Sequence, residues 1–126
     1  KMTRKELTNK RDLTLSGWIR EKLPNSSTGF LVSDLDFILF NYKTKKIMLL
    51  EIKTRNSQMK QWQNILFTNL NNWIKKGIDT DWKFLGFHTL RFENTFFNDG
   101  NVYFDGIESN EQEIADILSF KKEIPI

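Results

Sequence analysis

The chain has 126 residues, enough to bury one core and too few for two. Hydrophobic residues make up 39% and charged residues 28%, the balance of a soluble globular protein, and a formal net charge of +3 permits a nucleic-acid partner without requiring one. With no cysteine and a single histidine, disulfides, thiolate zinc sites and multi-imidazole metal sites are all excluded, which leaves carboxylates and amines to do any chemistry.

At the start of the chain, Lys1, Arg4 and Lys5 are not followed by an apolar segment, so no secretory signal is expected and an intracellular location is. No apolar run approaches the length of a bilayer span, so no membrane partner is expected. Thr3 and Glu6 have the spacing of a capping box, and Leu15, Trp18, Ile19 and Leu23 follow helical periodicity. They predict a helix over residues 4–23, with a break near Gly17 allowed. Pro24 to Gly29 reads as a loop.

Phe30 to Phe40 and Ile47 to Lys53 read as strands joined by a basic turn containing Lys43, Lys45 and Lys46. Both runs are apolar at adjacent as well as alternate positions, which predicts a sheet covered on both faces by helices. Ser57 is placed to cap a helix running to about Lys76, with Gly77 as its stop. Its apolar stripe would be Trp62, Ile65, Leu66, Trp73 and Ile74. Trp82 to Phe92 forms the next strand, and strand, helix, strand in this order predicts a right-handed crossover with parallel pairing. The turn at Asn98, Asp99 and Gly100 leads to a short strand, Val102 to Asp105, expected at the sheet edge. Ser109 or Asn110 would cap a last helix carrying Ile114, Ile117, Leu118 and Phe120. The fold class is therefore α/β, one domain over residues 1–126, with a mixed central sheet flanked by helices.

The chemistry centres on the predicted hairpin. A turn with an even residue count, centred on Lys43 and Thr44, places Asp36 directly opposite Glu51 and Asp34 opposite Lys53. Directly opposed residues share a sheet face. An odd turn would send Asp36 to the other face and remove the constellation. Two opposed carboxylates among apolar neighbours repel unless a proton or a cation neutralises them. Their hard oxygens suit Mg²⁺ or Mn²⁺. Such an ion lowers the pKa of a bound water and offsets charge on a phosphoryl oxygen. Lys53, on the same face as Glu51, is positioned to orient that water or a phosphate. The competing reading is a strand end where Asp36 caps a turn and Lys53 is solvated. His88, inside an apolar strand, reads as a hydrogen-bonded sheet residue. The tryptophans at 18, 62, 73 and 82 read as packing, with Trp62 also able to approach bases.

Two segments, Ser33, Asp34, Leu35, Asp36 with the apolar run behind them, and Leu49, Leu50, Glu51, Ile52, Lys53, Thr54, resemble the motif of the PD-(D/E)XK nuclease superfamily. The helix that follows, with Gln58, Gln61 and Gln63, and the element order over residues 4–92 are similar too. The resemblance implies a restriction-endonuclease-like core in which Asp36 and Glu51 bind Mg²⁺ or Mn²⁺ and Lys53 assists attack of water on a DNA phosphodiester. Asp34 is a second candidate for the first acid, and Gln61 is the glutamine that would reach the site. Members of the family often add an acid from the first helix; Glu6, Asp12 and Glu21 all remain open. No proline precedes either aspartate. The expected partners are DNA and a second copy of the chain, because cutting a duplex takes two sites. The alternative is a non-catalytic nucleic-acid- or protein-binding module on the same fold.

Overall fold

The computed structural model describes residues 9–125, with side chains from residue 14 onward. It divides after Ser33 into two compact units. In the first, helix α1 (Asn9–Lys22) runs through Gly17 without a break, and Leu15 and Trp18 on it are exposed. The start of the expected helix and its Thr3–Glu6 capping box lie outside the described residues. The loop after α1 contains one 3₁₀ turn, Ser26–Thr28. The Asn25 side chain accepts a hydrogen bond from the Ser27 N–H, and Gly29 closes the turn at φ 92°.

The second unit is an α/β fold around a five-stranded mixed sheet. The strands are β1 (Phe37–Asn41), β2 (Lys46–Thr54), β3 (Lys83–Phe92), β4 (Val102–Phe104) and β5 (Ile107–Glu108), and they lie in chain order across the sheet. Helix α2 (Gln61–Gly77) connects β2 to β3, which pair in parallel, and α3 (Glu111–Leu118) follows β5. All other strand pairs are antiparallel. Among the described residues no helix is long and apolar enough to cross a membrane.

Strand β2 is an interior strand, between β1 and β3. Met48, Leu50 and Ile52 point to one face; Leu49, Glu51 and Lys53 point to the other, as strand alternation requires. On the first face Met48 and Leu50 join Leu90, Phe92, Val102 and Phe104 beneath Ile114 and Ile117 of α3. Asn110 caps α3 through a reciprocal capping box with Glu113, which satisfies the amides at the helix start. On the second face Phe67 of α2 stacks on Phe87 at 4.5 Å between ring centroids, and Asn71 Oδ1 accepts the Phe87 N–H. Helices thus cover both faces of the β2–β3 pair.

Several expectations are corrected. The strand predicted over Phe30 to Phe40 forms only at Phe37–Asn41, because the Asp36 side chain accepts the Ile52 N–H and so ends the ladder. Apart from Leu39, its apolar residues are not covered: Phe37, Ile38 and Phe40 are 56%, 60% and 57% exposed on what is an edge strand. Ser57 does not cap α2. Its hydroxyl donates to the Thr54 carbonyl and turns the chain out of β2, and the helix starts after Lys60 with no side-chain cap. The buried residue of α2 is Phe67, while Ile65 and Trp73 face outward, and Trp18 is likewise exposed rather than packed. The expected edge strand Val102–Asp105 is Val102–Phe104 and is not at the edge; β5 lies outside it. The hairpin between them turns through Asp105 and Gly106 at φ 51° and 84°, the left-handed pair that a two-residue Asp-Gly turn supplies. That dipeptide is a legible hairpin signal in the sequence.

Candidate active site: a carboxylate pair with a buried lysine

The turn between β1 and β2 spans Tyr42 to Lys45, an even count. Asn41 Oδ1 accepts the N–H groups of Lys43 and Thr44, and Lys45, at φ 58°, pairs with Asp81 at 2.5 Å. These local bonds fix the register: Phe37 pairs with Leu50 and Asn41 with Lys46, so the next position outward sets Asp36 against Glu51. The two residues interlock. The Asp36 N–H donates to Glu51 Oε1 at 3.3 Å, and Asp36 Oδ2 accepts the Ile52 N–H at 2.7 Å.

Glu51 is 4% exposed, and it alone among the described residues is both charged and fully buried. Lys53 Nζ lies 3.7 Å from Glu51 Oε2, and its own side chain is only 14% exposed. Lys53 is therefore not a solvated strand-end lysine. Burial pushes the Glu51 carboxyl above its ordinary range, and the charge on Asp36 pushes it further. The Asp36 N–H and the Lys53 ammonium act in the opposite direction without cancelling the rise. A carboxylate kept in this position prefers a proton or a cation beside it.

The donor set fits a hard divalent ion. Mg²⁺ is held through one or two carboxylates, with water and phosphate oxygens completing its shell. Asp36 and Glu51 supply two such groups, and each carboxylate oxygen retains a lone pair beyond the bonds above. Among the described residues no third His, Cys, Asp or Glu joins them to make a larger metal-binding cluster. Of the candidate first-helix acids, Glu6 and the side chain of Asp12 lie outside the described residues. Glu21 belongs to the first unit, where it is exposed with Lys22 4.0 Å away. Asp34 takes part in an interaction of its own and lies outside β1.

Gln61 is the first residue of α2 and is exposed. Gln63 is half-buried and one turn before Phe67, so it shares the stripe of α2 that faces the sheet on the Glu51 side. The i, i+4 spacing from Gln63 to Phe67 is the signal that singles it out over Gln61.

The sheet face extends the site sideways in two rungs. Glu51 pairs with Thr89, and Lys53 pairs with Arg91, which in turn pairs with Tyr103. Paired residues share a face, so Lys53, Arg91 and Tyr103 stand side by side next to the carboxylates. Thr89, Arg91, Tyr103, Asp105 and Gly106 line a shallow concavity there.

His88, on the opposite face, is held as expected by hydrogen bonds. An extra residue in β3 near Gly86, at φ 96°, bulges the strand and turns the Leu85 carbonyl toward His88 Nε2 at 2.6 Å. His88 Nδ1 lies 2.6 Å from Asp105 Oδ2. A carbonyl and a carboxylate both accept, so these contacts favour the doubly protonated ring. Burial opposes that charge, but the bonds to Asp105 and Leu85 raise its pKa overall.

Comparison of the chain with family models, with curated proteins and with solved structures finds no match.

Proposed function

We propose that this protein is a Mg²⁺-dependent nuclease of the PD-(D/E)XK type, on a restriction-endonuclease-like core, that hydrolyses phosphodiester bonds in DNA. One observation carries the reading. Glu51 is buried against a second carboxylate, with Lys53 3.7 Å away. Such a pair raises the energy of the metal-free fold, and a fold retains it for what the charge can do.

Asp36, just before β1, and Glu51, on β2, would hold the cation. Bound there, Mg²⁺ or Mn²⁺ supplies a Lewis acid for the phosphoryl oxygen and lowers the pKa of a water. The chain's own groups do the rest. Glu51 and Asp36 are oriented by bonds to backbone and lysine, so their oxygens need no rearrangement before reaction. Lys53 donates to the attacking water or to a non-bridging phosphate oxygen. Its small exposure keeps that ammonium poorly hydrated, which strengthens its pull on developing negative charge. Gln63 or Gln61 would hold the water or a phosphate oxygen from the start of α2.

The second reading, a non-catalytic binding module, has one observation in its favour: Asp36 already serves the fold by accepting the Ile52 N–H. Asp36→Asn separates the two, because an amide oxygen can keep that bond while losing the charge. The nuclease reading expects Mg²⁺-dependent nicking of plasmid DNA by the wild type, blocked by EDTA and lost in Asp36→Asn together with Mn²⁺ binding measured by calorimetry. Wild-type protein that neither binds Mn²⁺ nor nicks plasmid, linear, branched or single-stranded DNA overturns it. A duplex presents two strands to one carboxylate pair per chain, so the reading carries a two-fold dimer with it, checked by sedimentation on DNA.

A further inference from the structure

We propose that Arg91 and Tyr103 form a second phosphate subsite, which binds the DNA backbone beside the phosphate to be cut. The inference rests on the nuclease reading of Asp36, Glu51 and Lys53 and adds to it the path of the substrate.

The placement comes from the sheet. Lys53, Arg91 and Tyr103 are consecutive partners across β2, β3 and β4 and stand on the face that carries Glu51. Neighbouring strands lie about 4.8 Å apart. A DNA strand advances about 3.4 Å per nucleotide along its axis, so Arg91 sits one to two nucleotides from a phosphate held at Lys53. The backbone would then cross the strands along this rung.

The chemistry fits as well. One nitrogen of the Arg91 guanidinium donates to the Arg55 carbonyl at 2.9 Å, which anchors the group to the turn after β2. Its other N–H groups have no partner among the described residues, and they keep the fork geometry that matches a phosphate. The Tyr103 hydroxyl, within 3.5 Å of Asn101 Nδ2, adds a donor on the next strand. One acid lines the same concavity, Asp105, and it does not oppose an anion freely. Its Oδ1 accepts the Thr89 N–H and its Oδ2 lies 2.6 Å from His88 Nδ1. Both Asp105 oxygens are thus engaged by the backbone and by His88 on the opposite side of the sheet, while the exposed Glu108 pairs with Tyr103 and bounds the rung at β5, so Arg91 is the cation nearest Lys53 along it.

The test uses the full chain, plasmid nicking in Mg²⁺, and anisotropy of a fluorescent duplex across a salt series. Arg91→Gln removes the charge and the fork while keeping a polar side chain, and its melting temperature reports whether losing the bond to the Arg55 carbonyl loosens the turn. KM should rise about tenfold, with the effect on KM exceeding that on kcat, and the slope of log affinity against log salt should shrink by about 1. Arg91→Lys should restore the salt slope but only part of the affinity, because the fork is lost. Tyr103→Phe keeps the ring and should weaken binding about threefold; it stands as the second arm should Arg91→Gln melt early. Wild-type protein that cleaves DNA while both Arg91→Gln and Tyr103→Phe match its KM and salt slope overturns the subsite alone. Wild-type protein that neither binds nor cleaves DNA overturns the nuclease reading, and the subsite with it.

Discussion

Leu50 and Glu51 are neighbours on β2 and almost equally buried, at 2% and 4% exposed. They do opposite things for the fold. Leu50 enters the apolar cluster under α3, and burying a side chain of its size contributes about 1.5–3 kcal/mol. Glu51 faces the other way, into the Asp36 carboxylate and the Lys53 ammonium, and its charged form is disfavoured there. Burial alone therefore does not measure stabilisation. One face of β2 puts Met48 and Leu50 in the apolar core, while the other sets a disfavoured charge beside the buried Leu49.

The largest expected effect separates the two faces by activity. Glu51→Gln preserves shape and one acceptor oxygen but removes the charge. Cleavage should fall on the order of a thousandfold, as for loss of a principal electrostatic group, while the metal-free fold should not be destabilised. A variant that cleaves normally would dissolve the contrast. Leu50→Ala should do the reverse. It should destabilise the fold by about 3 kcal/mol in denaturant unfolding, with cleavage retained under conditions where the variant is folded.

Lys53 sits between the two cases. Lys53→Met keeps the stem and removes the ammonium. Cleavage should fall about a hundredfold, with metal binding retained. The metal-free fold should lose on the order of 1 kcal/mol, because the buried Glu51 carboxylate loses the cation paired with it. Normal cleavage with weaker DNA binding would make Lys53 a phosphate contact and nothing more.

The smallest effect is the sharpest. Because the Glu51 carboxyl titrates above its ordinary value of 4.5, its favourable contribution to folding is fully present below that value. The contribution is lost as pH rises through the folded-state pKa. Wild type and Glu51→Gln should therefore melt closest together near about pH 4, and the variant should pull ahead as pH rises toward about 8. Adding Mg²⁺ at the higher pH should close the gap by stabilising the wild type only. A gap independent of both pH and Mg²⁺ would show that Glu51 carries no strained charge.

Much of this was legible in the chain. Asn41 and the even turn set the hairpin register, so Asp36 against Glu51 follows from counting. The β2–α2–β3 order is enough to give parallel pairing, since an antiparallel return needs no crossover helix. The sequence narrows the start of α3 to Ser109 or Asn110, and the capping box with Glu113 settles it on Asn110. These features are local: each is set by residues within a few positions of one another, or by the period of the chain.

What the sequence left open depends on distant partners. The run from Phe30 to Phe40 is as apolar as β2, yet β2 is interior and buried while β1 is an edge with Phe37, Ile38 and Phe40 exposed. Hydrophobicity records a tendency to be buried but not which neighbour does the burying. The early end of β1 comes from one side-chain bond, Asp36 to the Ile52 N–H, made across the hairpin. The competing reading of Lys53 as a solvated strand end falls only when packing leaves it 14% exposed. Arg91 and Tyr103 carry no motif, and they become part of a site only when β3 and β4 align beside Lys53. The sequence by itself reduced the facing of Asp36 and Glu51 to the parity of one turn, because strand period and turn length are short-range geometry. Only the tertiary structure decided how deeply they are buried and what stands beside them, because those depend on the contacts of strands and helices far apart in the chain.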